Sequence, residues 1–379
     1  MTEPAAPPEP LRSVHTTTLP RLLHQVGISL LVSTYQAGKL IVVRADGDMA
    51  NTHFRNFDTP MGLAFDRGRL AVGTKVHVWE FHDQPEVARR LDPPGRHDAC
   101  FLPRYAQVTG QIAVHELAWA DSRGQESGVR GQLTPDSCPL TPELWAVNTR
   151  FSCLCTLDPR YSFVPRWRPP FVTALAPEDR CHLNGLGLRD GRPRYVTALG
   201  ATDDSAGWRA NKARGGILMD VPSGEIIARG LSMPHSPRWY DGRLWVLESG
   251  AGSLAVVDPA SGRLEPVALL PGFTRGLDFF GPFAFVGLSQ VRESALFSGI
   301  PITDRLKVEE RACGVWVVDT RTGQTVAFLR FESGVQEVFA VQVLPALRYP
   351  EILTDESEVV ASAFLLPDAT LADVPAAAS

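Results

Sequence analysis

Leu254-Ala255-Val256-Val257-Asp258-Pro259-Ala260-Ser261-Gly262-Arg263-Leu264 decides how this chain folds. It reads as an apolar strand ending in Asp, a short turn carrying Gly, and a second strand. Asp opens such a turn because its carboxylate can bond the backbone two residues on, and Gly supplies a positive φ near the end. The hairpin returns as Val315-Trp316-Val317-Val318-Asp319-Thr320-Arg321-Thr322-Gly323-Gln324-Thr325-Val326 and as Ile217-Leu218-Met219-Asp220-Val221-Pro222-Ser223-Gly224. Leu154-Cys155-Thr156-Leu157-Asp158-Pro159-Arg160 is a looser copy.

Working outward, a short strand precedes each hairpin: Gly68 to Gly73, Glu143 to Asn148, Arg194 to Ala198, Gly242 to Leu247 and Phe283 to Gly287. Another strand precedes that one. Aligned on their apolar cores, these begin at Met61, His115, Asn184, His235, Arg275 and Gln336. Strand, turn, strand and hairpin make a four-stranded antiparallel unit. Six such units, about 40–70 residues apart, describe an all-β, six-bladed β-propeller. The last unit has only its first strand, Gln336 to Leu344. Its missing strands lie near the start of the chain, at Leu30 to Tyr35, Lys39 to Arg44 and Thr52 to Phe57. Strands from both termini therefore close the ring, which removes the exposed sheet edges of an open array. The competing arrangement is an irregular β-sandwich with the same number of strands.

The propeller is expected over residues 25–365, between disordered tails at 1–20 and 366–379 that are rich in Pro, Ala and Thr. Ser122 to Pro142 reads as a surface loop inside the second unit. Of 379 residues, 44% are hydrophobic and 21% charged, too apolar for a disordered chain. The formal net charge of −5 argues against a broad nucleic-acid-binding face. No apolar run is long enough for a membrane helix. The start, Met1-Thr2-Glu3-Pro4, lacks the order of a secretion signal, so a cytoplasmic location is expected. Six cysteines in a chain of this length are not a disulfide scaffold, and no CxxC pair marks a zinc site.

In a propeller the first strand of each blade lines the central channel, and its starting residue faces the channel mouth. The expected ring is thus Met61, His115, Asn184, His235, Arg275 and Gln336. His182 lies two residues before Asn184 and shares its side of the strand. Neutral imidazoles at His115, His182 and His235, with Asn184 or a carboxylate, suit a divalent metal of unspecified identity. The carboxylates on offer are Glu116 and Glu337, which strand alternation turns off the axis unless a bulge intervenes. The competing reading is a water-filled channel in which the histidines bond one another and the backbone. Arg275 argues for an anionic ligand, because a guanidinium grips a carboxylate or phosphate through two parallel bonds. Loops joining second and third strands lie on the same face and add Asn148, Arg150, Glu248 and Arg292 to the candidate ligand set. Two of these loops, Asp203 to Arg214 and Ser289 to Ala312, exceed what a hairpin needs and suggest a lid. Trp79, Trp145, Trp245 and Trp316 fall at packing positions between blades.

The blade pattern resembles six-bladed propellers of the regucalcin/gluconolactonase and NHL-repeat type. His182-Leu183-Asn184-Gly185-Leu186 looks like the asparagine-glycine strand start that supplies a metal ligand in the lactonases. That family uses a glutamate and an aspartate on other blades, where this chain has His115, His235 and Arg275. Four further stretches, Leu31 to Leu40, Asn148 to Ser152, Met233 to Trp239 and Phe273 to Asp278, resemble a bacterial family described as conserved hypothetical proteins. That resemblance spans nearly the whole chain and implies no activity.

The expected function is recognition of a small anionic molecule or peptide end at the channel mouth, with metal-assisted transformation as its extension. The contrasting class is a non-catalytic scaffold that grips a partner protein or peptide. Fold alone does not separate the two.

Overall fold

Every innermost strand abuts the next, and the last abuts the first, so six sheets stand around one axis. A computed structural model describes residues 11–121, 142–291 and 298–366. From inside outward, blade 1 is Leu63–Asp66, Arg69–Gly73, His77–Asp83 and Ala99–Val108. Blade 2 is Val114–Ala120, Glu143–Asn148, Cys153–Asp158 and Tyr161–Trp167. Blade 3 is Leu183–Arg189, Arg192–Ala198, Gly216–Asp220 and Ile226–Leu231. Blade 4 is Pro234–Tyr240, Arg243–Glu248, Ser253–Val257 and Leu264–Leu269. Blade 5 is Phe273–Phe280, Phe283–Ser289, Gly314–Asp319 and Thr325–Ser333.

Blade 6 joins the two ends of the chain. Its innermost strand is Ala340–Pro345, followed outward by Ile28–Ser33, Lys39–Asp46 and Met49–Asn56. Leu31 faces Gln342 and Ser33 faces Ala340 in an unbroken antiparallel register. The six-bladed propeller closed from both termini is therefore the fold.

The repeated turns have the expected chemistry. The Arg160 and Arg321 amides donate to Asp158 Oδ1 and Asp319 Oδ1, each at 2.9 Å, and the Ala260 amide donates to Asp258 Oδ1 at 3.1 Å. Gly262 and Gly323 close two of these turns at φ 68° and 72°. Apolar layers fill the space between blades. Leu30, Val32, Phe285 and Val317 pack between blades 5 and 6, and Leu31, Phe81 and Phe101 between blades 6 and 1. Trp145, Trp245 and Trp316 are buried in such layers, and Trp79 packs against one.

The expected N-terminal tail is corrected from residue 11 onward. Arg12–His15 adds a fifth strand to the outer edge of blade 5, and Thr18–Val26 is a helix ending on Gly27 at φ 69°. Averaged composition hid the cause: Leu19 and Leu23 fall one helical turn apart and bury themselves between blades 5 and 6. Residues 1–10 and 367–379 lie outside the described residues, as does 122–141 of the expected surface loop. Near the C-terminus, Pro350–Ile352 pairs in parallel with Ala99–Val108 on the outer edge of blade 1.

Candidate functional site

Four of the six innermost strands carry a register shift close to their first residues. The shifts fall opposite Ala146/Asn148 in blade 2, at Leu183/Gly185 in blade 3, at His235/Arg238 in blade 4 and at Thr274/Leu277 in blade 5. A bulge places an extra residue on the strand and re-aims its side chains. Here neighbouring residues turn to the axis together. His115, Glu116, Asn184, His235, Ser236, Arg275, Gly276 and Phe339 line one axial gap. Glu116 is thus brought to the axis by the bulge that alternation alone does not supply.

The bulges require close approach of neighbouring strands. A Cβ on Gly185 would lie 2.4 Å from Pro237 Cδ, and one on Gly276 would lie 2.6 Å from the Val341 nitrogen. Gly276 also has φ 82°, a conformation that only glycine adopts freely.

His115 and His235 are held by one repeated device. Two residues before each, Ala113 (φ 54°) and Met233 (φ 47°) adopt the left-handed region. Their carbonyls accept from His115 Nδ1 at 3.2 Å and His235 Nδ1 at 2.9 Å. Thr149 Oγ1 lies 2.7 Å from His115 Nδ1 while giving its own proton to the Leu183 carbonyl at 2.6 Å. Ser249 Oγ lies 3.0 Å from His235 Nδ1. A carbonyl only accepts, so in both rings Nδ1 carries the proton and Nε2 keeps its lone pair. Burial holds both imidazoles well below their ordinary pKa. For His115 the nearby His182 and Arg275 add to this, and for His235 Arg275 and His182 do.

His182 occupies the equivalent turn position in blade 3, at φ 51°. Its Nδ1 lies 2.9 and 3.0 Å from the two Asp179 carboxylate oxygens, and Trp208 Nε1 donates to Asp179 Oδ2 at 3.1 Å. The His182 ring stands 4.9 Å from His115 and 4.5 Å from Trp208, centroid to centroid. His115 and His235 are 6.5 Å apart and nearly parallel. Among the described residues, no three His, Cys, Asp or Glu side chains are placed to share a metal ion as they stand.

Arg275 lies beside these rings. Its Nη1 donates to a Glu337 carboxylate oxygen at 2.9 Å, and its guanidinium lies 3.5 Å from the centre of the Phe339 ring. Asn184 is 2% exposed, and its Oδ1 accepts from Thr197 Oγ1 at 2.8 Å. Several buried polar atoms among the described residues have no protein partner, and two of these, Arg275 Nε and Asn184 Nδ2, belong to residues that line the gap.

The channel mouth is a closed gap. It is too narrow to admit a water molecule. Phe339 fills it, with Tyr35 stacked behind at 5.4 Å and the His115 ring against it at 5.1 Å. The long loops of blades 3 and 5 meet above the mouth, where Leu199, Trp208, Met233, Phe273, Ile300 and Ile302 form one apolar cluster. Below the gap Glu116 meets Arg238, and beyond that pair lies a chamber of about 260 Å3. It is lined by residues of all six innermost strands, among them Arg238, Asp278 and Gln342.

The structure therefore gathers His115, His182, His235, Asn184, Arg275 and Glu337 around the mouth. The other sequence candidates stand apart. Gln336 is exposed, because the innermost strand of blade 6 starts at Ala340 and the ring position belongs to Phe339. Met61 turns into the core between blades 6 and 1. Asn148 is fully buried and its Oδ1 accepts from the Phe151 amide at 3.0 Å, shaping its own turn. Glu248 accepts from the Ser232 amide at 3.1 Å, and Arg150 is exposed on the rim. Arg292 lies outside the described residues. Asp179, Thr149, Ser249 and Phe339 were not singled out. Asp179, three residues ahead of His182, was the readable signal among them.

No curated protein matches the sequence. Two solved structures share the fold, each with a TM-score of 0.50 and 10% identity, covering 84% of this chain and 99% of theirs. One is described as a nidogen/laminin complex, the other as a protein of unknown function from Bacteroides caccae. A family model described as a domain of unknown function, DUF4915, matches residues 17–353. That match takes in every blade and every residue of the axial gap, and the chain belongs to this family.

Proposed function

We propose that this propeller binds a small molecule through an anionic oxygen group, carboxylate or phosphate, at the axial gap. One observation carries the reading: Arg275 Nε and Asn184 Nδ2 are buried donors without a partner among the described residues, and both residues line that gap. A buried donor left unpaired costs about 1–3 kcal/mol, so a ligand that accepts from both recovers that cost. Arg275 adds a permanent charge, which strengthens each bond it gives. Glu337 holds the guanidinium by one nitrogen only and leaves the Nε edge for the ligand.

Entry requires the plug to move. Phe339 ends the segment 334–339, which has no regular structure, and Trp208 sits on the short helical turn Gly207–Asn211. Phe339 lines the gap and Trp208 belongs to the loop cluster beside His182, and neither lies in a blade strand, so moving these side chains leaves the sheets intact.

The test is thermal-shift screening of the full chain against small carboxylates and phosphate esters, with Arg275→Leu and Asn184→Leu beside it. A hit should raise the wild-type midpoint. Its affinity should fall at least tenfold in each variant, which corresponds to about 1.4 kcal/mol. A panel with no stabilising anion, or hits that survive both substitutions, would overturn the proposal.

A further inference from the structure

Resting on the reading of the axial gap as an anion site, we propose that it selects anions that bring their own O–H donors, a hydroxycarboxylate or a hydrogen phosphate. His115 Nε2 and His235 Nε2 are the acceptors that read those protons.

Both rings line the gap, and each has one nitrogen already committed. His115 Nδ1 donates to the Ala113 carbonyl and Thr149 Oγ1, and His235 Nδ1 to the Met233 carbonyl and Ser249 Oγ. Thr149 accepts here because its own proton goes to the Leu183 carbonyl. Among the described residues neither Nε2 has a hydrogen-bond partner, so each keeps a lone pair for something else. Blades 2 and 4 build this separately and alike. In each, a left-handed residue two positions ahead of the histidine, Ala113 or Met233, supplies the carbonyl that fixes the tautomer.

The protonation state decides what these rings ask of a ligand. Burial keeps both imidazoles neutral, and the neighbouring His182 and Arg275 act in the same direction. They therefore add no positive charge and no N–H group on the Nε2 side. Arg275 Nε and Asn184 Nδ2 offer donors to the same gap. A ligand that fits must supply protons as well as lone pairs. Acetate or sulfate satisfies Arg275 and Asn184 but sets oxygen lone pairs against both imidazole nitrogens. A hydroxyl beside the carboxylate, or the P–O–H of a hydrogen phosphate, turns that repulsion into an O–H···N bond. Sites built to bond a hydroxyl reject the analogue lacking it by large factors, because their buried groups are left unpaired. The ring centres are 6.5 Å apart, and at about 2.8 Å per hydrogen bond one small ligand reaches both.

The experiment is titration calorimetry of the full chain with two matched pairs at constant ionic strength, glycolate against acetate and phosphate against sulfate. The hydroxyl-bearing member should bind at least tenfold more tightly than its partner. Preference in the first pair alone identifies a hydroxycarboxylate, and in the second alone a hydrogen phosphate. His115→Phe and His235→Phe, with wild-type circular dichroism, should each lower the ratio toward one while acetate and sulfate bind no more weakly. A second measurement needs only the wild type. Between about pH 6 and 8 phosphate sheds a proton and glycolate does not, so phosphate binding should weaken relative to glycolate. Glycolate corrects for titration of His182, Glu116, Glu337 and the two rings. No preference in either pair, or a preference unchanged in both phenylalanine variants, would overturn the proposal. The anion reading falls separately, if none of the four binds or if binding persists in Arg275→Leu and Asn184→Leu.

Discussion

Glu116 of blade 2 and Arg238 of blade 4 meet at 2.5 Å inside the channel, passing in front of blade 3. Arg238 also donates from Nη1 to the carbonyls of Leu186 and Pro237, at 3.1 and 3.0 Å. The carboxylate keeps the guanidinium protonated, and together they separate the gap above from the chamber below.

Removing one member of this pair strands the other in the channel. Glu116→Ala should destabilise the protein by about 3–5 kcal/mol, the usual cost of an unpaired buried charge. A double Glu116→Met/Arg238→Met variant should recover a large part of that loss. Urea unfolding followed by tryptophan fluorescence checks both. Single and double variants of equal stability would mean the pair carries no burial cost.

The N-terminal helix is joined to the ring through Leu23, which is fully buried between blades 5 and 6. Leu23→Ala should cost about 2–5 kcal/mol by loss of apolar contact and the cavity left behind. The neighbouring surface change Arg21→Ala should cost under about 0.5 kcal/mol, since its contact with Asp48 is solvent-exposed. Thermal unfolding of the two variants separates them.

Asp158 and Asp319 are held down to a pKa of about 2, first by the side chains of Arg160 and Arg321 and then by the turn amides. A depressed carboxylate contributes stability above its unfolded pKa, near 3.9, and loses it as pH falls through the folded value. Stability carried by these turns should hold down to about pH 4 and fall between about pH 4 and 2. Asp158→Asn/Asp319→Asn should flatten that limb, measured as unfolding midpoint against pH.

Cys100, Cys153, Cys155, Cys181 and Cys313 are free and buried. Burial pushes Cys100, Cys153 and Cys181 up to about 12, and Cys155 and Cys313 upward as well. A thiol reacts as its thiolate, so these five should resist labelling at pH 8 while the protein is folded. Ellman's reagent should count at most one thiol in the native protein, Cys138 lying outside the described residues, and all six after unfolding.

The ring was legible because its signals are local. An Asp-to-Gly turn after a run such as Leu254 to Val257 fixes a hairpin without knowledge of any other blade, and counting back from the hairpin finds the strand start at His115 or His235. The bulges were not legible. A one-residue shift leaves no mark on an apolar pattern, so Glu116 read as turned away, and Gln336 took the place that Phe339 holds. The groups that orient the imidazoles come from loops, where no period applies. Thr149 reaches His115 from 34 positions away. The strand Arg12–His15 has no partner within its own neighbourhood and becomes a strand only against Thr325–Ser333.

Blade 6 has a further consequence while the polypeptide is being made. Its three outer strands leave the ribosome before all of blades 1 to 5, and the strand that completes them, Ala340–Pro345, leaves after those blades. At about 5–20 residues per second the nascent Ile28–Ser33 edge waits for tens of seconds without its partner. During that wait the row of Leu30, Leu31 and Val32 is an open template for any passing strand. Slower synthesis of the five intervening blades lengthens that exposure, and faster synthesis shortens it.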